Sequence, residues 1–139
     1  MQEIVEMDRG EVLLRFSHPT RDLQFLSEVL GLTPSTTWLV GEPWHAPFGP
    51  PTAIINKDSY WSAGLRFEHH DGFGAQLNRA VELLRQAEAT VRDHIASGGK
   101  VDIYLYLTGR VNNGDEIPPS LLALMAELGI TLGIEVFPN

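Results

Sequence analysis

Residues 101–107, with the sequence Val-Asp-Ile-Tyr-Leu-Tyr-Leu, decide the fold class of this chain. Their apolar side chains alternate with polar or aromatic ones, which is typical of a strand with one buried face. The preceding segment, about residues 75–97, carries apolar side chains at helical spacing, and Gly98-Gly99 ends this predicted helix. A strand that follows a long amphipathic helix indicates a domain in which helices pack on a sheet.

The pattern continues toward the C-terminus with one more helix and one more strand. Residues 109–116 are polar, and Asn113-Gly114 within them is a strong turn signal. Pro118-Pro119 opens a helix that Gly129 ends. Residues 130–137 are predicted to form the last strand.

The N-terminal half of the chain adds three strands and one helix. Residues 11–17 are predicted to form the first strand, and residues 36–40 and 60–67 the next two. A helix is predicted to begin at Pro19 and to end at Gly31, which would adopt the left-handed conformation.

These elements predict one α/β (α+β) domain over residues 1–139, built as a two-layer sandwich. We expect a mixed sheet of about five strands, with three helices mostly on one face. The first six elements fit a ferredoxin-like β-α-β-β-α-β core, and the last helix and strand are an added unit. Residues 1–9 are expected to be a short N-terminal extension. Proline-rich residues 41–59 are expected to be a long loop, with an optional strand over 52–56.

Composition and charge exclude several classes of protein. The chain has 139 residues, of which 43% are hydrophobic, so it is too apolar to be disordered. With 10 basic and 18 acidic residues its net charge is −8, which opposes binding to nucleic acid or to an anionic membrane. No apolar run reaches the ~18 residues that span a bilayer. Cysteine is absent, which excludes disulfides, thiolate zinc sites and cysteine nucleophiles, and the acidic start does not resemble a signal peptide.

The densest ionisable cluster is Glu68-His69-His70-Asp71, and two interpretations are open. Adjacent imidazoles and carboxylates can bind a metal or transfer protons. Neighbours in an extended segment point to opposite faces, however, so a metal would need another ligand such as His45. The alternative is a solvated turn in which Asp71 caps the following helix. We adopt the second interpretation and predict neither a metal site nor a cofactor.

The tripeptide Gly72-Phe73-Gly74 follows a strand and opens a helix, as in a dinucleotide-binding turn. Leu77 stands where the third glycine would be, which argues against a nucleotide site. The chain also lacks a nucleophile elbow, a His-Glu-x-x-His motif and a phosphate-binding loop. We therefore predict no catalytic residue and favour a protein that is not an enzyme.

Aromatic residues are the more informative candidates for a binding site: Trp38, Trp44, His45, Phe48 and Trp61. Large rings in a loop form the wall of many recognition sites. The alternative is that the loop folds over the edge of the sheet and these rings complete the core. With His69, His70 and Asp71, this aromatic set is the predicted binding region.

Short motifs spread over about residues 10–137 point to a family. They are Val12-Leu13-Leu14-Arg15-Phe16, Leu30-Gly31-Leu32-Thr33-Pro34-Ser35, Trp38, Gly41-Glu42-Pro43, Tyr60-Trp61-Ser62, Val101-Asp102-Ile103, Pro119-Ser120-Leu121-Leu122 and Leu128-Gly129-Ile130. In this pattern the chain resembles the bacterial domain-of-unknown-function family 4279. The resemblance implies a small cytoplasmic domain and transfers no catalytic residue.

Three hypotheses of function follow from the sequence, of which the last is a purely structural module of a larger assembly. The first is a non-catalytic domain that binds a basic protein partner, as an inhibitor or immunity protein does, or that forms a homodimer by edge pairing of the strand over 132–137. The second is a small-molecule-binding or metal-binding protein, or a small enzyme, with its site at Trp44, His45, His69 and His70.

Overall fold

A computed structural model describes residues 11–44, 50, 53–65, 72–109 and 114–138 of the chain. Within them lie five strands and four helices, which confirms the predicted α+β class and the mixed sheet of five strands. The strands are β1 (Glu11–His18), β2 (Thr36–Trp38), β3 (Ser59–Leu65), β4 (Lys100–Gly109) and β5 (Thr131–Pro138). The helices are α1 (Leu26–Leu30), α2 (Phe73–Gln86), α3 (Glu88–Ala96) and α4 (Pro119–Leu128). None of the helices in these ranges is both long and apolar enough to cross a membrane.

The strands form one open sheet in the order β2-β3-β1-β4-β5. Neighbouring strands are antiparallel from β2 to β4, whereas β4 and β5 are parallel. The sheet therefore ends in β2 on one side and β5 on the other. The ferredoxin-like description of the first six elements stays a prediction.

Strand β1 lies at the centre of the sheet, and its side chains divide between the two faces. Val12, Leu14 and Phe16 point to one face and are fully buried, whereas Leu13 and Arg15 point to the other face and are half-buried. The buried face joins side chains of all four helices in a single hydrophobic core. The opposite face, which we call the open face, carries no helix in the described part of the chain.

The first helix is shorter than the sequence predicts, because it begins at Leu26 and not at Pro19. The His18 imidazole explains the difference. Its Nδ1 accepts hydrogen bonds from the backbone N–H groups of Thr20, at 3.1 Å, and Arg21, at 3.0 Å. This side chain holds the segment after β1 in a turn, so the helix starts later. Gly31 ends it with φ 66°, as predicted.

The predicted long helix over 75–97 is divided into α2 and α3, so the chain has four described helices where three were expected. The break is at Ala87, whose φ of −107° and ψ of 32° are not helical. Its N–H bonds to the Leu84 carbonyl at 3.1 Å, three residues back, which tightens the turn. Leu84 before the break and Val91 after it are both fully buried, so the two helices contribute to one core.

The region over 41–59 begins and ends with paired backbone. Trp44 N–H donates to the Ile54 carbonyl at 2.7 Å, and Asn56 N–H donates to the Glu42 carbonyl at 2.9 Å. Of the optional strand over 52–56, residue 52 lies outside the described ranges, and residues 53–56 form one bridge, between Pro43 and Ile55. We call the paired segments 41–44 and 54–56 the arm. The arm lies beside β2.

Candidate functional site

The predicted binding region is only partly described. Trp38, Trp44 and Trp61 are described, whereas five further predicted residues lie outside the described ranges: His45, Phe48, His69, His70 and Asp71. The structure therefore places the three tryptophans, and it separates Trp61 from the other two.

Trp61 belongs to the core. It is fully buried, and its ring meets the Phe16 ring edge-on with the centroids 5.8 Å apart. The indole N–H donates to Ser27 Oγ at 3.0 Å, which ties β3 to α1. A buried tryptophan needs such an acceptor, because an unpaired N–H in the core is costly. Its ring therefore supports the fold and does not face a ligand.

Trp38 and Trp44 line a cavity between β2 and the arm. The Trp38 ring stacks on the Tyr60 ring with the centroids 4.4 Å apart and the planes 19° apart. Trp44, on the arm, is 37% exposed. The cavity measures about 450 Å³ and is lined by Ser35, Thr36, Thr37, Trp38, Glu42, Pro43, Trp44 and Asn56. This volume is in the range of sites that hold small molecules.

A second cavity of about 190 Å³ shares three of these lining residues, Thr37, Trp38 and Glu42. Its other described lining residues are Asp22, Leu23, Gln24, Leu39 and Tyr60. The two cavities thus adjoin at the β2 end of the sheet. We call them together the Trp38 cleft.

The open face carries polar and aromatic side chains that the sequence reasoning did not single out. Arg15 donates to the Asp102 carboxylate at 2.6 Å, and its guanidinium lies 3.8 Å from the centroid of the Tyr104 ring. Burial acts to lower the pKa of Arg15, but the hydrogen bond and charge of Asp102 outweigh it and the pKa is raised. Gly133 lies under the Tyr104 ring, where a Cβ would overlap it. The alternation of side chains along β1 and β4 is the sequence signal that could have identified the residues of this face.

Two buried histidines serve the fold. His18 Nε2 lies 3.0 Å from Ser97 Oγ, and this serine hydroxyl donates to the His94 carbonyl at 3.0 Å. His94 Nε2 lies 2.8 Å from the Ser17 carbonyl. Burial lowers the pKa of His94, which keeps the imidazole neutral. Both rings connect α3 to the sheet, and sequence periodicity alone did not identify them.

The glycines of the Gly72-Phe73-Gly74 tripeptide leave room for the side-chain carboxylate of Asp115. Gly74 N–H donates to Asp115 Oδ2 at 2.9 Å, and a Cβ at Gly72 would overlap this carboxylate. Hydrogen bonds from the backbone N–H groups of Glu116 and Gly74 lower the pKa of Asp115. Asp115 thus occupies the N-terminus of α2, the position that a phosphate takes in a dinucleotide-binding turn.

No group of three or more His, Asp or Glu side chains in the described ranges is placed to hold a metal ion. Residues 68–71 lie outside those ranges, so both interpretations of this cluster, a metal site and a solvated turn, stay predictions.

Comparison with known proteins gives a family and no activity. A family model described as a domain of unknown function, DUF4279, matches residues 8–137. No curated protein and no solved structure matches the chain. Because the family model covers nearly all of the 139 residues, the chain belongs to the DUF4279 family of domains of unknown function.

Proposed function

We propose that this chain is a non-catalytic interaction domain that pairs with a second copy of itself through the outer edge of β5. The observation that carries the proposal is the exposure of two β-branched side chains on this edge strand. Ile134 is 55% exposed and Val136 is 62% exposed. Both belong to an eight-residue strand that pairs with β4 and with no other strand in the described part of the chain.

Exposed hydrophobic edge strands are usually protected, because their free backbone groups attract another strand. Natural protection includes lysine, proline or a bulge in the strand. Strand β5 contains no lysine; its one proline, Pro138, is its last residue, and Glu135 is its one charged side chain. A second β5 that runs antiparallel would satisfy these backbone groups and form a continuous ten-stranded sheet.

The side chains of β5 are compatible with a two-fold axis beside Ile134. Each Ile134 would then lie opposite its copy, and Leu132 would lie opposite Val136 of the second copy. Glu135 would lie opposite Gly133, so the one acidic residue of residues 131–136 would not face itself. The apolar side chains of both strands would share one face, where Ile134 and Val136 lie beside Leu105 and Leu107 of β4.

The free energies that favour and oppose this pairing are of similar size, so the expected dimer is weak. Completing the burial of four half-exposed side chains contributes roughly 4–8 kcal/mol, from about 1–2 kcal/mol each. Association costs on the order of 4–15 kcal/mol in lost freedom of motion. The net charge of −8 on each copy adds repulsion. We therefore expect dimers at high protein concentration, and we expect added salt to strengthen them because it screens this repulsion.

Sedimentation velocity over a wide concentration range tests the proposal. We expect the wild type to dimerise, and we expect Ile134→Lys to stay monomeric because lysine blocks edge pairing. Leu122→Lys is the matched control, since Leu122 is 46% exposed but lies on helix α4 and not on an edge strand. A wild type that stays monomeric at every concentration, or an Ile134→Lys variant that associates like wild type, would contradict the proposal.

A second candidate function is recognition of a ligand or basic partner at the opposite end of the sheet. The Trp38 cleft favours it, because it places Trp38 and Trp44 around a cavity of about 450 Å³. This site agrees with the sequence hypothesis of a binding site near Trp44, and a role as an inhibitor or immunity protein would use it for a basic partner. As the family resemblance implies, we place either function in a single domain in the bacterial cytoplasm.

A further inference from the structure

The Trp38 cleft combines aromatic rings with carboxylates. The described lining of its two cavities includes Trp38, Trp44 and Tyr60 together with Glu42 and Asp22. None of the described lining residues is basic. The composition of the cleft thus differs from that of an anion site, in which basic side chains or clustered N–H groups face the ligand.

The Trp38 ring has a fixed position. It stacks on Tyr60 at a centroid distance of 4.4 Å, and Tyr60 belongs to β3, inside the sheet. The register pairs Trp38 directly with Tyr60, so both rings stand on the same face of the sheet. Trp38 also lines both cavities of the cleft. A ligand in either cavity therefore meets an aromatic surface that is ordered in advance, which lowers the entropy lost on binding.

The described lining residues of the cleft include no cation that would compete for its carboxylates. Glu42 lines both cavities and makes no ion pair with any cation in the described ranges. Asp22 lines the smaller cavity, and one of its oxygens accepts the backbone N–H of Gln24 at 3.0 Å. The neighbouring Arg21 turns away and pairs with Asp93 at 2.7 Å. The described lining residues of the cleft therefore carry a net negative charge.

We propose that the Trp38 cleft binds an organic cation, for which a planar guanidinium group is the best match. This proposal rests on the second candidate function and names the chemistry that the cleft would recognise. A guanidinium stacks on an indole face and also donates hydrogen bonds to a carboxylate such as Glu42. An anionic ligand would be repelled by Glu42 and Asp22. The cation is the arginine side chain of a partner protein or a free small molecule.

An NMR titration tests the chemistry of the cleft. The probe is Nα-acetyl-arginine methylamide, and the control compound is Nα-acetyl-citrulline methylamide, which has nearly the same shape without the charge. We expect the arginine compound to shift the indole N–H signals of Trp38 and Trp44 and to leave that of the buried Trp61 unchanged. Equal binding of the citrulline compound would overturn the cation proposal while recognition at the cleft stands. Failure of both compounds to bind would overturn both.

Two charge variants test the role of the carboxylate while all the aromatic rings of the cleft stay in place. We expect Glu42→Gln to weaken binding of the arginine compound about two- to fivefold, which is the usual range for one exposed ion pair. Glu28→Gln is the control, because Glu28 is exposed on α1 and does not line the cleft. Equal loss in the two variants would show a general effect of net charge and would overturn the proposal.

A third experiment distinguishes the two sources of the cation. Its probe is a pentapeptide with arginine at the centre and glycine on both sides. Tighter binding of the pentapeptide than of the arginine compound assigns the site to a protein partner, and equal binding assigns it to a free small molecule. Both results support the proposal, whereas binding of neither probe contradicts it.

Discussion

Stability below neutral pH depends on His94, which lies in the core between α3 and the sheet. This side chain is 1% exposed, and its ring meets the Phe16 ring at a centroid distance of 5.2 Å. Nε2 lies 2.8 Å from the Ser17 carbonyl and 3.2 Å from the Lys100 carbonyl, so it carries the proton and donates it. Nδ1 is buried and has no hydrogen-bond partner. A second proton there would place a charge in the core.

The sign and size of the effect follow from linkage between protonation and folding. Burial lowers the pKa of folded His94 below its ordinary value of 6.5, and the hydrogen bonds to the Ser17 and Lys100 carbonyls only partly offset this. Below the unfolded pKa the unfolded chain therefore binds more protons than the folded one. The stabilisation is complete above about pH 6.5 and is lost as the pH falls through the folded pKa. One linked proton gives a slope of at most about 1.4 kcal/mol per pH unit.

Urea unfolding at a series of pH values, from about pH 8 to about pH 5, measures this slope. We expect the unfolding free energy of the wild type to fall below about pH 6.5. His94→Gln keeps an N–H donor without a titratable group, so we expect it to be less stable at neutral pH but to lose less on acidification. His18, whose ring centroid lies 5.3 Å from that of His94, is present in both proteins, so the comparison isolates the effect of His94. A wild type with constant stability over this range, or an equal slope in the variant, would refute the reasoning.

Two further substitutions test the packing around the core. Gly99→Ala places a Cβ against the His94 ring, so we expect a loss of about 1–3 kcal/mol in thermal or urea unfolding. Gly114→Ala is its control, because no atom lies within 4 Å of the added Cβ, and an equal loss there would contradict the steric argument. Trp61→Phe removes ring volume and the hydrogen bond to Ser27, so we expect a loss of about 2–3 kcal/mol. A change within about 0.5 kcal/mol would show that Trp61 is not a core residue.

The strands were the most predictable part of the fold. Alternation in residues 101–107 and 11–17 identified β4 and β1, because one face of each strand must be apolar to join the core. Gly31 and Gly129 marked helix ends correctly, and both have positive φ angles, at 66° and 80°. These signals are local, so the sequence alone carries them.

The errors in the helices come from interactions that a periodic pattern does not contain. The helix predicted from Pro19 starts only at Leu26, because the His18 side chain binds the backbone of the turn. The long helix breaks at Ala87, which is an excellent helix former in isolation. The first error thus has a local cause, a side chain directly before the predicted helix start, whereas the break at Ala87 is contrary to the local propensity of alanine.

The candidate site stays a prediction, and only three of its residues lie in the described part of the chain. The tryptophans drew attention to the end of the sheet at β2, and Trp38 and Trp44 do line a cleft there. Trp61 stands on the opposite face from Trp38, because the strand register pairs it with Thr37. The contribution of Asp22 was not predictable, because it approaches from the turn after β1 and only the folded chain brings it to the cleft.

Hydrogen–deuterium exchange of β5 at low and at high protein concentration tests self-association at this edge most directly. In the monomer the backbone N–H groups on the outer edge of residues 131–136 face solvent and exchange rapidly. We expect these N–H groups to become protected as the concentration rises, while those of β2 at the other edge do not change. Rapid exchange of the outer β5 groups at every concentration would contradict the proposed pairing.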